Sequence, residues 1–443
     1  MLFRNFAAKQ TTLIMTYIKK YLIALSLLTA LWSCYDNEDN NVPEEPEETI
    51  ARRTVLVYMA AENSLNSLSE SDLTEMKTGS ESLAEDQNLI VYVDEASLNR
   101  TPFLARVKNG ALVDTLYMEE SLTADPAVLE KVLRTAKAKY PARSYGLVLW
   151  GHASGWLVSN DSVAYAPSRA YGGDTGTNSS SGSGKYWMNI PSMAKAIANG
   201  MGSDKMRFVF GDCCNFLCIE VAYELRNVTD YVIGSPAEIP DPGAPYELVV
   251  PQLFLETDNF YEQVIDNYYY NIISEFKEAP YYFYNLRYGD LAGYSVPLAA
   301  VKTSELEDFA YATAQILATL TDKLTYPSTV DLTKATYYAM YRNYRYSYDI
   351  NSVLKDNAYQ TDYSSWLTAY NRAVPYHLYS QKWLTGYLAL ANVMESFDTE
   401  GKDCGVVSMF FPSTDYSNTN PNWNTAIQHF QWNDVIRWQQ YGW

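Results

Sequence analysis

The sequence is poor in cysteine, with five residues in a chain of 443. One of them, Cys34, belongs to the leader segment described below, and three of the other four crowd together as Cys213, Cys214 and Cys218. Such crowding does not form the disulfide framework of a small secreted domain, and a chain this long can bury a core without one. Because Cys213 and Cys214 are adjacent and the C-x2-C spacing is missing, a zinc site is not expected either.

Basic residues are also scarce relative to acids. The chain has 33 lysines and arginines against 52 aspartates and glutamates, for a formal net charge of −19. This balance disfavours nucleic acid and anionic lipid surfaces as partners, because both repel an acidic protein. It is compatible with cationic substrates.

The chain lacks an apolar run of the roughly 20 residues that a membrane-spanning helix needs. Lys19 and Lys20 precede a shorter run over residues 21–32. A basic start followed by a short apolar segment is typical of a signal peptide, so we predict that residues 1–33 are removed on export.

The end of this leader resembles the lipobox of bacterial lipoproteins, in which the cysteine, here Cys34, is lipidated. Met15 is a candidate true start, which would make residues 1–14 an over-extended beginning. Residues 34–52 are acidic and lack apolar periodicity, so we expect a disordered tether. An acidic stretch after the lipidated cysteine resembles the surface-export signal of Bacteroidetes lipoproteins and implies an outer-membrane lipoprotein exposed at the cell surface. An ordinary secretory signal followed by a plain spacer is the alternative.

From residue 53 onward, strand patterns alternate with helix patterns. This order predicts an α/β fold with a mostly parallel sheet flanked by helices in three layers. We assign residues 53–300 to this core and residues 301–443 to a helical, tyrosine-rich extension, whose late run 405–411 is expected to return to the main sheet as a strand. The predicted core strands are 54–60, 88–94, 145–150, 207–211 and 231–235, and the predicted core helices are 69–83, 126–137, 192–201 and 216–226.

Two of the predicted strands end at chemically active side chains. His152 follows one of them, and Cys213 and Cys214 follow another. Ligands and reactive groups in open α/β sheets collect at the carboxyl ends of strands. The pattern therefore predicts an imidazole beside a thiol, which is the minimum equipment for cysteine nucleophilic catalysis.

Residues 171–185 join the histidine strand to the cysteine strand. The segment is rich in glycine, serine and threonine, and Arg169 and Lys185 bracket it. With so few packing residues, we expect a mobile loop near the site.

At these residues the chain resembles the clostripain-like cysteine peptidases of the caspase-type clan. The resemblance rests on a histidine segment and a cysteine segment, each preceded by a hydrophobic strand, and it covers residues 53–250. The matching positions are Trp150, His152, Ser154, Gly155 and Trp156 in the first segment, and Asp212, Cys213, Cys214, Glu220, Val221, Ala222 and Tyr223 in the second.

The resemblance implies a fold, an activity and a set of roles. Counting back six positions from Glu220 identifies Cys214 as the nucleophile, with Cys213 as the alternative. His152 would protonate the leaving amine. The backbone N–H groups of Ala153 and Cys214 would form the oxyanion hole. A helix beginning near Phe216 would favour the thiolate of Cys214.

The resemblance also implies a specificity. Asp212 would lie at the base of the S1 pocket and select Arg or Lys, with Glu238 as a possible second acid. A strand-end cap is the alternative role of Asp212. Self-processing would occur in the loop, after Lys185 or Arg169. We expect a monomer with no cofactor. Calcium dependence varies in this family, so a calcium requirement stays open, and no calcium loop is recognisable in the sequence.

Two departures from the family pattern bear on activity. Ala153 replaces a glycine, which would cost about 1 kcal/mol or more if that position required positive φ. Cys213 replaces a small residue and could crowd the pocket. A catalytically silent surface lipoprotein that binds peptide or glycan, and a thiol redox protein, are therefore the competing hypotheses.

Overall fold

A computed structural model of the chain describes most of the protein from Ile50 onward. The leader, Cys34 and Arg169 lie outside the described residues, and residues 50–443 form one compact unit. No helix in the described part of the chain is long and apolar enough to span a membrane. The described ranges are 50–97, 100–157, 170–181, 184–276, 291–341, 344–388, 391–396, 404–419 and 422–443.

The strands of the described residues fall into a large sheet, a smaller sheet and a hairpin. In chain order they are β1 (Ala51–Ala61), β2 (Gln87–Glu95), β3 (Phe103–Lys108), β4 (Ala111–Tyr117), β5 (Ala142–Trp150), β6 (Tyr171–Asp174), β7 (Tyr186–Met188), β8 (Met206–Asp212), β9 (Thr229–Gly234), β10 (Leu298–Lys302), β11 (Tyr337–Tyr341), β12 (Tyr344–Asp349), β13 (Tyr376–Leu378), β14 (Lys382–Leu388), β15 (Ala391–Ser396) and β16 (Ser408–Met409).

The helices of the described residues cover both faces of the large sheet. They are α1 (Asn66–Ser80), α2 (Pro126–Lys139), α3 (Ile190–Met201), α4 (Ile219–Leu225), α5 (Tyr246–Leu253), α6 (Phe260–Glu275), α7 (Leu306–Ala318), α8 (Thr321–Leu324), α9 (Ile350–Asn357), α10 (Gln360–Ala373), α11 (Trp423–Ala426) and α12 (Gln431–Ile436).

The large sheet has the order β13-β10-β9-β8-β5-β1-β2-β3-β4 among the described strands, and its centre is parallel. Strand β1 explains why it needs helices on both faces. Leu56 and Tyr58 belong to one buried cluster with α2 and α3, whereas Val55 and Val57 belong to another with α5 and α6. A strand that is apolar on both sides is buried only between two helical layers. The predicted three-layer α/β fold is confirmed.

The sheet begins earlier than the sequence suggested. Strand β1 starts at Ala51, so the last two residues of the predicted tether belong to the fold. The guanidinium of Arg52 is 2.5 Å from the Asp86 carboxylate, and the Arg52 N–H donates to the Asp86 carbonyl at 2.8 Å. These contacts tie the entry strand to the segment that leads into β2.

The C-terminal region differs from the predicted helical extension. In addition to its helices it forms a second sheet, with the order β15-β14-β11-β12-β16. The prediction that residues 405–411 return to the main sheet was wrong, because β16 pairs with β12 of the second sheet. The strand that does return is β13, which pairs with β10 at the sheet edge. Because aromatic residues favour strands, the tyrosine-rich segment forms the hairpin β11–β12. Residues Ser408–Met409 of the late run pair with this hairpin instead of with the main sheet.

The segment 171–185 is also more ordered than predicted. Tyr171 and Asp174 are buried and belong to β6, which pairs with β7. The Tyr171 hydroxyl lies 3.0 Å from the Tyr58 carbonyl oxygen. The Asn63 side chain donates to the Gly173 carbonyl at 2.7 Å. These buried hydrogen bonds fix the start of the segment against the end of β1.

Candidate active site

His152 and Cys214 lie at the same edge of the main sheet. They follow β5 and β8, which pair in parallel with Trp150 opposite Asp212. His152 and Cys214 each follow the last residue of their strand by two positions, and those last residues are paired with each other. Both residues line one cleft of about 660 Å³. The structure thus brings together the two groups whose strand endings had indicated a shared site.

The loops that carry these residues are in close contact with each other. Gly155, at φ +68°, is the point of approach: a Cβ there would lie 2.6 Å from the Asn215 carbonyl oxygen and 3.2 Å from the Cys218 sulfur. Asn215 itself has φ +56°. Only glycine satisfies both the left-handed backbone and the lack of space at position 155.

His152 has a polar neighbour that the sequence reasoning missed. Its Nε2 atom is 2.9 Å from the Oγ atom of Ser64, and its ring centroid is 6.4 Å from that of Trp187. The His152 carbonyl accepts a 2.8 Å hydrogen bond from Gly172. Ser64 follows the end of β1, the strand next to β5, so its position at a neighbouring strand end was the available signal.

Cys214 lies against the loop that follows β9. Its Sγ atom accepts a 3.4 Å hydrogen bond from the Ile239 N–H. Burial, followed by the negative charge of Glu238, raises the pKa of the Cys214 thiol, while the Ile239 N–H opposes this shift. The predicted helix near Phe216 begins only at Ile219, so the expected helix start does not lie directly beside the thiol.

Cys213 has a different environment from Cys214. It is 2% exposed and belongs to the apolar cluster on one face of the sheet. Burial raises its pKa well above the ordinary value for a thiol. Cys214 is partly exposed beside it. Both residues line the cleft, but the more exposed Cys214 is the more accessible of the two to a substrate.

Ala153 does not carry the strain that its replacement of glycine suggested. It is not among the positive-φ residues of the described chain. It forms an isolated bridge with Tyr171. The hydrogen bonds of this bridge run from Ser154 N–H to the Ala170 carbonyl and from Gly172 N–H to the His152 carbonyl. Neither bond uses the Ala153 N–H, so the bridge does not occupy the donor that the oxyanion hole would need.

Asp212 is buried at the carboxyl end of β8 and lines the cleft. Its carboxylate accepts hydrogen bonds from the Tyr246 hydroxyl at 2.8 Å and the Tyr268 hydroxyl at 3.1 Å. The Ala244 N–H donates to it as well, at 3.2 Å. Burial raises the pKa of Asp212, and these three donors oppose the shift.

Other acids line the same cleft. Asp72, Glu238 and Asp241 join Asp212 there, and no lysine or arginine is among the described lining residues. Trp150 Nε1 donates to Asp72 at 2.5 Å. Burial, followed by the charge of Asp212, raises the pKa of Asp72 to about 8. The described lining of the cleft is therefore acidic.

The second sheet completes one wall of the cleft. Met340, Tyr341 and Tyr346 line it from β11 and β12. The Glu238 N–H donates to the Leu384 carbonyl of β14 at 3.2 Å. The C-terminal region, for which the sequence indicated no function, therefore takes part in forming the site.

Of the two candidate processing residues, Lys185 is described and Arg169 is not. Lys185 is exposed, immediately before β7, and its N–H donates to the Asp174 carbonyl at 2.7 Å. A further acidic group, Glu62, Asp94 and Glu120, has carboxylate oxygens within 4.8 Å of one another. The sequence reasoning missed this group, although Glu62 and Asp94 both stand at strand ends.

Three solved structures of other proteins are similar to this fold. A secreted C11 cysteine protease from Bacteroides thetaiotaomicron, in complex with an irreversible peptide inhibitor, is 29% identical, with a TM-score of 0.71 over 88% of this chain and 100% of that one. An inactive zymogen C11 protease from Parabacteroides distasonis is 24% identical, with a TM-score of 0.65 over 88% and 99%. The B. thetaiotaomicron protease iotapain is 20% identical, with a TM-score of 0.65 over 87% and 99%.

The sequence comparison agrees with the fold. No curated protein matches the chain, but the model of the clostripain family matches residues 57–405. This range contains both strand endings of the cleft and most of the second sheet. The protein therefore belongs to the clostripain family of cysteine peptidases, which are hydrolases acting on proteins or peptides.

Proposed function

We propose that the protein is an endopeptidase that cleaves after Arg or Lys with Cys214 and His152 as its catalytic pair. The observation that carries this proposal is the cleft itself. A partly exposed thiol and an imidazole follow two paired parallel strands, and a buried carboxylate, Asp212, lies at the end of the cysteine strand. A cationic P1 side chain would pair with the Asp212 carboxylate in this acidic cleft.

The geometry supports a two-step acyl transfer. The Cys214 sulfur attacks the scissile carbonyl carbon, and its proton passes to His152. The carbonyl oxygen becomes an oxyanion that the N–H groups of Ala153 and Cys214 stabilise, at a few kcal/mol per donor. His152 then protonates the leaving amine. Water, deprotonated by His152, attacks the thioester, releases the acid and returns the proton to the sulfur.

The raised pKa of Cys214 fits a proton transfer that is coupled to substrate binding. Glu238 contributes to that rise through its negative charge. A bound P1 cation would lower this repulsion, because it places a positive charge among the acids of the cleft. Substrate would then promote ionisation of the nucleophile that attacks it.

The first test is hydrolysis of fluorogenic peptides that end in Arg, Lys or a neutral residue, with protein that starts at residue 35. Wild type, Cys214→Ala and Cys213→Ala are compared. We expect turnover of the basic substrates that is abolished in Cys214→Ala and retained in Cys213→Ala. Loss of activity in both Cys214→Ala and Cys213→Ala, with the stability of each variant unchanged, would contradict the proposal. Turnover of neutral peptides as fast as that of the basic peptides would also contradict it.

Self-processing after Lys185 is the second part of the proposal. Lys185 is exposed and follows the exposed residues Ser180 and Ser181 in the chain, and exposed polar segments are preferred sites of proteolytic nicking. Intact mass should show a cut after Lys185 in wild type, and none in Cys214→Ala or Lys185→Gln. Lys195→Gln, on an exposed position of α3, is the matched control and should be cut normally. A cut elsewhere, such as after Arg169, would refute this assignment.

The third part concerns location. We propose that the protein is exported and anchored at the outer membrane through lipid on Cys34, and that it is a monomer there. The support is the leader sequence, together with a relative of 29% identity that is described as secreted. Labelling cells with an alkynyl fatty acid should tag wild type but not Cys34→Ser. Release of unlabelled wild type into the medium would contradict the anchor.

A further inference from the structure

We propose that the cleft also selects the P2 residue, which precedes the scissile Arg or Lys in the substrate. A large apolar P2 side chain would bind against Leu157, Met340 and Tyr341, all of which line the cleft. This inference rests on the proposed function, because it concerns the same peptide. The pairing of a basic P1 side chain with Asp212 leaves this apolar part of the cleft without a role.

The cleft has an acidic half and an apolar half, which belong to opposite faces of the main sheet. On one face, Asp212 accepts a hydrogen bond from Tyr246, which belongs to the buried cluster of α5 and α6. On the other face, Leu157, Met340 and Tyr346 line the cleft and belong to the buried cluster of α2 and α3. A ligand that filled the cleft would therefore contact both halves.

An extended peptide would meet the two halves with consecutive side chains. Successive side chains of an extended chain point to opposite sides. When a basic P1 side chain reaches Asp212 on one face of the sheet, the P2 side chain is directed to the other face. The nucleophile segment shows the same alternation, because the residue after Asp212 is Cys213, which belongs to the apolar cluster.

The catalytic pair determines which end of the peptide lies near the apolar half. His152 protonates the leaving amine in the proposed mechanism, so the residues after the scissile bond lie on the side of His152 and Ser64, which are 2.9 Å apart. The acyl part of the substrate lies on the other side of Cys214. There the Ile239 N–H donates to the Cys214 sulfur at 3.4 Å. P1 and P2 therefore lie along the loop that follows β9.

The second sheet meets this loop at Met340. Gly386 of β14 is packed between the two: a Cβ there would lie 2.7 Å from the Met340 carbonyl oxygen and 3.2 Å from Glu238 Oε1. Glu238 also forms an isolated backbone bridge with Leu384 of β14. Met340 and Glu238 are thus neighbours, and the apolar half lies on the P2 side of the nucleophile.

Aromatic contacts hold the apolar half in place. The ring centroid of Tyr346 is 5.9 Å from that of Trp156, and the ring centroid of Tyr341 is 6.4 Å from that of Trp423. Tyr341 is partly exposed and Met340 is 8% exposed. A P2 side chain would remove their remaining apolar surface from water, which favours a large apolar residue over glycine.

The test compares kcat/KM for fluorogenic peptides with Arg at P1 and Leu, Phe or Gly at P2. The protein starts at residue 35 and contains the compact unit from Ile50 to Trp443. Wild type should prefer Leu and Phe over Gly at least about tenfold, because even one methylene in an apolar pocket changes kcat/KM by about tenfold or more. Met340→Ala and Tyr341→Ala should each reduce this ratio at least about threefold, whereas Met340→Leu should keep it, since it conserves volume.

Tyr344→Ala is the matched control. Tyr344 pairs with Tyr341 across the β11–β12 hairpin, and its ring centroid is 6.0 Å from that of Trp423. It is not among the described residues that line the cleft. Its P2 ratio should stay within about twofold of wild type, although the substitution removes the same side chain from the same hairpin.

The ratio separates substrate contact from support of the fold. It is measured within one preparation, so a loss of folded protein cancels from it. Equal kcat/KM for the Leu and Gly peptides in wild type, an unchanged ratio in both Met340→Ala and Tyr341→Ala, or a lost ratio in Tyr344→Ala would overturn this inference and leave the proposed function standing. If wild type hydrolyses none of the peptides with Arg at P1, the proposed function fails and this inference fails with it.

Discussion

Replacing Asp212 by Asn tests the source of specificity directly. The carboxylate is 5% exposed and lines the cleft, so a substrate cation that reached it would pair with it away from bulk water. Leaving one partner of a buried charge pair alone costs about 3–5 kcal/mol. At about 1.4 kcal/mol per factor of ten, kcat/KM for Arg and Lys peptides should fall by roughly 100- to 4,000-fold.

The same substitution should leave the fold and the neutral substrates almost unaffected. Asn keeps the shape of Asp, and the hydroxyls of Tyr246 and Tyr268 can both donate and accept, so the amide can retain hydrogen bonds with them. Turnover of neutral peptides should therefore change by only a few-fold. If Asp212 were only a strand-end cap, both substrate classes would lose activity together with stability.

The assay compares kcat/KM for matched Arg, Lys and neutral peptides, with the unfolding temperature of each variant measured alongside. Glu238→Gln is the control from the same cleft. Because Glu238 is only half-buried, solvent screens its charge, and basic substrates should lose less than about tenfold. Retention of Arg and Lys cleavage within tenfold of wild type in Asp212→Asn would refute the reasoning.

Three further predictions follow from the geometry around the cleft. Gly155→Ala should lower the free energy of unfolding in urea by about 2–4 kcal/mol and abolish activity, because the new Cβ is strained at positive φ and overlaps the Asn215 carbonyl oxygen. A variant with wild-type stability would disprove this. Ser64→Ala should lower kcat about two- to tenfold, since it removes one hydrogen bond to His152; a change in KM alone would contradict that role. Burial raises the pKa of Asp72 from 3.8 to about 8, so its contribution to stability falls as pH rises from about 4 to 8. Asp72→Asn should flatten that fall between about pH 4 and 8 in urea titrations, and an unchanged slope would count against it.

The central part of the fold could be predicted because its strands are continuous apolar runs that end abruptly. In a parallel sheet, such endings fall on one edge, so His152 and Cys214 could be placed together without coordinates. The dipeptide Asn109-Gly110 is likewise typical of a tight hairpin turn, and both residues adopt positive φ between β3 and β4. The local sequence is sufficient to predict a strand or a turn when the residues of that segment alone determine its conformation.

The remainder depends on contacts between distant segments. Nothing local to Asp174 shows that Thr123 will hydrogen bond to it, so a polar segment with buried ends was taken for a mobile loop. Glu62 and Asp94 were visible at strand ends, but their distance to Glu120 depends on the path of β3 and β4. Strand β16 pairs with β12 of the tyrosine-rich hairpin. Because the sequence of this region predicted helices, the hairpin was not expected, and the partner of β16 could not be identified.

The contacts of the late strand have a consequence for the size of the functional unit. Glu220, buried on α4 just after the nucleophile loop, accepts a 2.8 Å hydrogen bond from the Phe410 N–H, and the Leu217 carbonyl accepts one from Ser408. The cysteine loop is thus braced from behind by residues that lie some 190 positions further along the chain. A fragment ending at residue 300 would keep the proposed catalytic residues His152 and Cys214 but lose these two hydrogen bonds, together with the wall formed by Tyr341 and Tyr346. We therefore expect that the peptidase cannot be shortened to its motifs, and that proteolytic release of its C-terminal region would inactivate it without altering the proposed catalytic pair.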